Sequence, residues 1–380
     1  MLLQSGRLGR VYVKPETTFG TAVTLAGSDA VRHINVGLNV KKHNRVNSEE
    51  RHAHPSQLYR YTRKRSANWS LSGIFHPAGT INTLPDHDPI LEYGFGAKTN
   101  VTLSTTIASG STAGGATLTS AAGLAVGDPI LINVTTGSPA TGRVVRFLTS
   151  VAGAVVTWAP DLPQAAAVSD TVKGCIGYKL TTAAPGTLDI AHYLTSLNYE
   201  SRAAAVETLK LTFDANSEVM WEASGPMADR IRPAQADPVT FTTVGTTPPS
   251  GITGSLRVGT TAEDFIKAEI EIKNGFELDN RPFGIAVAQA LYRATRRSVM
   301  INLNTMVGDD VTLLDASESK ADLTTLIQCG ATEGSIIAIF APALELEEPD
   351  DPSGDGFMEW AYKATAKGLV GNDELRLAVA

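Results

Sequence analysis

Two stretches of the chain alternate apolar and polar residues with a strict period of two. In 209–213 the apolar set is Leu209, Leu211 and Phe213, with Lys210 and Thr212 between them. In 266–273 it is Ile266, Ala268, Ile270 and Ile272, set against Lys267, Glu269, Glu271 and Lys273. Successive side chains of an extended chain point to opposite faces, so each stretch has one apolar side and one charged side. Such strands belong in antiparallel sheets with one face packed and the other wet.

Strand patterns dominate elsewhere too. Ile34, Val36, Leu38 and Val40 alternate, as do Trp69, Leu71, Gly73 and Phe75. Further strands are expected at 197–201, 206–213, 218–224, 255–258, 265–273, 298–303, 335–340 and 374–379. Helices are few. Residues 285–297 end in basic residues that suit a helix C-terminus. Residues 319–328 have Ser319 as N-cap and Gly330 beyond the end. A short helical turn is expected after Pro89, through Ile90, Leu91, Glu92 and Tyr93. The reading is a mainly β, antiparallel sandwich or barrel-type domain with a flanking α-helix.

The segment 99–175 differs from its surroundings. It is rich in Ser, Thr, Ala, Gly and Val, with only Asp128, Asp161 and Asp170 against Arg143, Arg146 and Lys173. Short β-runs at 129–134, 143–148 and 154–158 are separated by Gly and Pro turns. This predicts a small all-β module inserted into a larger domain formed by 1–98 and 176–380; a long decorated loop is the alternative.

A chain of 380 residues with 43% hydrophobic content can bury a sizeable core. The net charge of −7 argues against general binding to nucleic acid or anionic membranes. Cys175 and Cys329 form no metal or redox motif and read as small apolar fillers. Residues 1–13 hold Arg7 and Arg10 but no apolar run, so no secretory signal is expected, and no stretch is apolar enough to span a bilayer.

Charge is segregated. Lys41, Lys42, Arg45, Arg51, Arg60, Arg63, Lys64 and Arg65 crowd 41–65, against Glu49 and Glu50. Glu345, Glu347, Glu348, Asp350, Asp351, Asp355 and Glu359 occupy 345–359 without a Lys or Arg. Opposite blocks suggest complementary surfaces, within a subunit or between copies; two separately solvated loops are the alternative.

No reaction is advertised. There is no phosphate loop and no Gly-x-Ser-x-Gly elbow. Gly94-Phe95-Gly96 reads as a turn after a short helix, and Asp86-His87-Asp88, between Pro85 and Pro89, as a turn leading into one. His43, His52 and His54 lie in the basic stretch, where a cation is repelled. Asp351, Ser353, Asp355, Gly356 and Glu359 match part of a calcium loop, but its twelfth position is Tyr362 and not a bidentate Glu. No metal or other cofactor is predicted.

Beside these readings, the segment Val13-Lys14-Pro15-Glu16-Thr17-Thr18-Phe19-Gly20-Thr21 resembles the opening of siphophage tail tube proteins. The close, Gly371-Asn372-Asp373-Glu374-Leu375-Arg376-Leu377-Ala378-Val379, is similar to that family's final strand. Residues 189–225 and 265–276 look like its ring-forming strands, and 297–303 with Asp309 and Asp310, then a short helix and a run toward Pro342, also fits. The resemblance covers 11–98 and 176–380 and leaves out 99–175.

The resemblance implies a structural virion protein, not an enzyme, made in the host cytoplasm. Six copies would form a ring, and stacked rings the tail tube through which DNA leaves. Partners would be further copies, the tape measure and terminator proteins, and passing DNA, with no membrane. The basic stretch would be the loop that reaches the next ring, docking on an acidic surface such as 345–359, and the inserted module would decorate the outside. The polar strand faces, placed in the lumen, carry Glu200, Asp214, Glu218, Glu222, Glu269 and Glu271 against Lys210, Lys267 and Lys273. An acid-rich lumen repels phosphates, so DNA slides without sticking. The rivals are a capsid decoration or other β-rich virion protein and, more remotely, a carbohydrate-active β-protein. The latter wants paired carboxylates in an aromatic cleft, whereas Trp69, Trp158, Trp221 and Trp360 are scattered.

Overall fold

The computed structural model describes residues 9–380 apart from 42–43, 48–59, 64–65, 136–141, 195–196, 234, 242–246, 260, 280, 282–284, 286, 307–311 and 350–357. It is mainly β, and its strand pairs are antiparallel.

Fourteen strands form one large sheet. Its main path runs Thr261–Glu263, Ser255–Val258, Leu323–Cys329, Ile337–Leu346, Glu359–Lys367, Ser298–Met306, Phe265–Lys273, Thr208–Asp214, Met220–Met227, Ser66–Ile74 and Asn35–Lys41. The sheet divides along Ile337–Leu346. Residues 337–340 pair with Arg376–Val379, and residues 343–346 pair with Glu359–Lys367. Pro342 sits at the divide, where a residue without an N–H costs no ladder bond. Arg376–Val379 carries the sheet on to Ile176–Leu180 and Gly96–Asn100.

The two wings so formed share one apolar core. Leu209, Leu211, Phe213, Ile270 and Ile272 from one wing join Ile176, Tyr178, Ile327, Ile339 and Leu377 from the other. Burying each such side chain contributes about 1.5–3 kcal/mol. The strict alternation of Thr208–Asp214 and Phe265–Lys273 is reproduced in their burial. Helix Asp88–Phe95 buries Ile90, Leu91 and Phe95 in the same core. It starts with Pro89 in its first turn and stops at Gly96, whose φ of 119° suits glycine. A Cβ on Gly94 would lie 2.6 Å from a Leu209 methyl, so glycine there sets how closely the helix approaches the sheet.

The low-charge insertion closes on itself. Pro129–Val134, Gly142–Ala152, Val155–Ala159, Gly115–Leu118, Ser104–Thr112 and Thr171–Gly174 form a six-stranded barrel. Its interior holds Ile107, Leu118, Ile130, Ile132, Leu148, Val156, Trp158 and Val172. The barrel packs outside the second wing, with Leu131, Val145 and Phe147 against Leu326, Ala338 and Phe340. The Phe147 and Phe340 rings stack with centroids 5.1 Å apart.

A third sheet has the order Asp229–Ile231, Asn198–Arg202, Leu188–Tyr193, Arg10–Pro15, Ala30–Val31. At the far edge of the main sheet, Asn35–Lys41 and Ser66–Ile74 pair, and Asn44–Asn47 and Arg60–Arg63 pair in the same register. The backbone thus forms a two-stranded arm that runs past Met227, the last residue of the neighbouring strand.

Two expected helices are strands. Within 285–297, Ala290–Arg293 pairs with Phe276–Asp279. Tyr292 there hydrogen-bonds Glu277 at 2.9 Å and Arg293 covers the Phe276 ring, and cross-strand contacts of this kind outweigh weak helix propensity. Within 319–328, Leu323–Cys329 lies between Ser255–Val258 and Ile337–Leu346. The helix there is Thr312–Ser319, which Ser319 ends rather than begins. Residues 325–329 are buried on both faces, which removes the period of two that marks a half-wet strand.

Candidate lumen surface

The charged side of the first wing is continuous across its strands. By register, Lys210 stands between Glu222 and Glu271, Thr212 beside Glu269, Asp214 beside Lys267, and Thr208 beside Lys273. The row continues outward through Asn302 to Lys363. In an antiparallel ladder, directly opposed residues share a face, so the even-numbered polar residues of Thr208–Asp214 meet the odd-numbered ones of Phe265–Lys273.

The lysines are spent on neighbouring acids. Glu269 receives Lys267 at 2.7 Å and Lys210 at 3.1 Å, and Lys273 meets Glu271 at 2.9 Å. The Lys267 hydrogen bond, aided by Lys210, holds the Glu269 carboxyl below its usual range, and the same bond raises Lys267. Glu218 and Glu222 are exposed. Toward the Asn35–Lys41 edge the face becomes concave. A hollow of about 330 Å³ there is lined by Asn35, Ser70, Ser72, Thr208 and Ser224 together with Lys210, Glu222 and Glu271.

Glu200 does not belong to this face. It lies in the third sheet, is buried, and pairs with Arg202 at 2.8 Å. Arg202 also reaches Asp189 at 3.5 Å, and burial followed by Glu200's charge pushes the Asp189 carboxyl up. Without Glu200 the expected set holds five acids and three bases. The adjoining Glu359–Lys367 strand adds Glu359, Lys363 and Lys367, and Lys367 pairs with Glu345 and Asp322. The face is therefore a lattice of ion pairs with a modest surplus of carboxylates. Of residues 189–225, the Leu188–Tyr193 and Asn198–Arg202 strands belong to the third sheet, and only the later two strands join the main one.

Of the basic stretch, Lys41, Arg45, Arg60 and Arg63 fall in described strands of the arm. Lys42, Arg51, Lys64 and Arg65 lie outside the described residues, as do His43, His52, His54, Asp309, Asp310 and the 350–357 part of the acidic block. Asp86, His87 and Asp88 form the predicted turn into a helix. Asp86 pairs with Arg32 and Asp88 with Lys98, both at 2.6 Å. His87 stacks on Trp221 and meets Phe75 edge-on; burial pulls it down to about 3. Both cysteines are buried and free, and burial raises both thiols. Among the described residues no cluster of His, Cys, Asp or Glu suits a metal, and no helix is long and apolar enough to cross a membrane.

The opening motif acquires a physical reason. Glu16 accepts from the Gly20 N–H at 2.8 Å, the Thr187 hydroxyl at 2.6 Å and the Ala203 N–H at 2.9 Å. One buried carboxylate thus ties the 16–20 turn, with Gly20 at φ 69°, to the residue just before Leu188–Tyr193 and the residue just after Asn198–Arg202, two strands of the third sheet. A family model described as phage tail tube protein matches residues 6–366.

The chain belongs to the phage tail tube protein family. It is a structural protein of the virion tail. The match runs through the barrel, beyond the segments that carried the resemblance, and stops short of the closing strand Arg376–Val379, which nonetheless sits inside the main sheet. A search among curated proteins returns no match.

Proposed function

We propose that this tail tube protein is of the siphophage type and closes into hexameric rings, with the charged wing inward and the barrel outward. The observation that carries this reading is the layering. The charged face, the first wing, the core, the second wing and the barrel follow one another, so a ring lined by the charged face puts the barrel on its outside. The main sheet leaves its Asn35–Lys41 and Thr261–Glu263 edges without a strand partner among the described residues. Pairing such edges with neighbouring copies would satisfy their backbone groups and block aggregation. The ion-paired lumen offers few free cations to phosphate, which favours passage over binding.

The arm at 41–65 is assigned to the next ring, docking on an acidic surface that includes 345–359. Assembly in the host cytoplasm and contacts with tape measure and terminator proteins belong to the same proposal, as does the absence of catalysis. Negative-stain microscopy of the purified protein tests it: stacked rings or tubes are expected. Monomers or trimers would instead favour a capsid decoration. Arg63→Glu with Lys64→Glu is expected to shorten tubes, and unchanged tube length and yield would remove the docking role.

A further inference from the structure

The open end of the barrel meets the Ser255–Val258 and Leu323–Cys329 strands around a cavity of about 280 Å³. Arg143, Arg146 and Arg257 line it, and its described lining contains no acid. Val134, Leu162 and Leu326 supply apolar wall.

Arg146 is the unusual member. It is 1% exposed and opposes Ile130, an interior residue of the barrel. Its Nη1 donates to the Val145 carbonyl at 2.7 Å. Its Nε and Nη2 are buried with no hydrogen-bond partner. A buried guanidinium is ordinarily paired, because leaving its donors unmet costs free energy. Asp161 acts on it only from beyond hydrogen-bonding reach, while Arg257 opposes its charge. Nε and Nη2 also lie on the same edge of the guanidinium plane, the edge that grips two oxygens at once.

We infer that the barrel mouth is an oxyanion-binding site, in which the Nε–Nη2 edge of Arg146 holds two oxygens of a phosphate or carboxylate and Arg257 and Arg143 add positive charge at the rim. The apolar wall keeps water from screening the contact, which strengthens a charge-assisted bond. The mouths of small barrels are common places for small ligands. The site lies on the barrel side of the second wing and does not depend on ring closure.

Calorimetric titration of the full-length protein with inorganic phosphate and, separately, with acetate at constant ionic strength tests this. Saturable binding of one ion per chain is expected; stronger binding of phosphate identifies a phosphoryl ligand, and stronger binding of acetate a carboxylate. Arg146→Met should weaken binding about tenfold or more, the worth of a lost bidentate charged contact. Arg257→Gln, at the half-buried rim, should also weaken it and keeps the test alive if Arg146→Met fails to fold. Lys273→Gln, on the opposite wet face, should leave affinity unchanged. Absence of saturable binding of either ion, equal affinity in wild type and Arg257→Gln, or equal weakening by Lys273→Gln would overturn the site.

Discussion

The barrel and the main sheet meet the same problem, unpaired strand edges, in opposite ways. The barrel closes on itself with six strands and has no edge to offer. The main sheet stays open at both ends of its path and puts a charged face to water. The barrel's interior is built mainly from apolar residues, with Arg146 and Thr105 buried among them, while the sheet's wet face is a lattice of Lys–Glu pairs. A closed module can be complete alone, and an open charged sheet is suited to completion by neighbours. The chain therefore joins a part whose strands close within the subunit to a part whose strands stay open.

Removing the barrel is the strongest way to break this contrast. Replacing 101–175 with an Asn-Gly turn between Asn100 and Ile176 should preserve the proposed rings in electron micrographs. It should also uncover Leu326, Ala338 and Phe340, seen as increased binding of an apolar dye. Loss of rings would show that the sheet is not independent of its insert. Phe147→Ala should cost about 3–5 kcal/mol in urea unfolding, by emptying the stack against Phe340. It should also separate the barrel's transition from that of the sheet.

Gln328→Leu comes next. The Gln328 amide accepts from the Val145 N–H and donates to the Arg143 carbonyl, both at 2.9 Å, imitating a strand across the junction. Losing it orphans buried backbone groups and should cost about 1–3 kcal/mol in the same assay. His87 gives the sheet's core a pH signature of its own. Its folded value near 3 lies below its ordinary 6.5, so the stability it supplies is complete above about pH 6.5. That stability drains as pH falls toward 3, at about 1.4 kcal/mol per pH unit. His87→Gln should flatten this part of the profile of urea midpoint against pH. The smallest effect belongs to the wet face: Lys273→Gln should change stability by less than about 1 kcal/mol, since the pair is exposed.

Legibility in the sequence follows the same division. Strands with one wet face announced themselves, because burial on one side writes a period of two into Thr208–Asp214, Phe265–Lys273 and Ser298–Met306. Leu323–Cys329 did not, because the second wing is covered on both sides, by the core and by the barrel. The strand expected at 197–201 is present as Asn198–Arg202, but the sheet it belongs to is decided by pairing with Leu188–Tyr193 and Asp229–Ile231, which no local pattern encodes. Arg146 and Gln328 were silent for a related reason. The meaning of Gln328 depends on a strand more than 180 residues away, at separations of 183 and 185.

The barrel's attachment has one more consequence. Asn100 and Ile176 are ladder partners, and the Val101 N–H bonds the Cys175 carbonyl at 3.3 Å, so the chain leaves and re-enters the sheet at nearly one point. A fold with such a narrow neck works as a socket. Any compact cargo whose own ends lie close together could be grafted there, and under the proposed ring assembly each ring would present it at regular intervals along the tail.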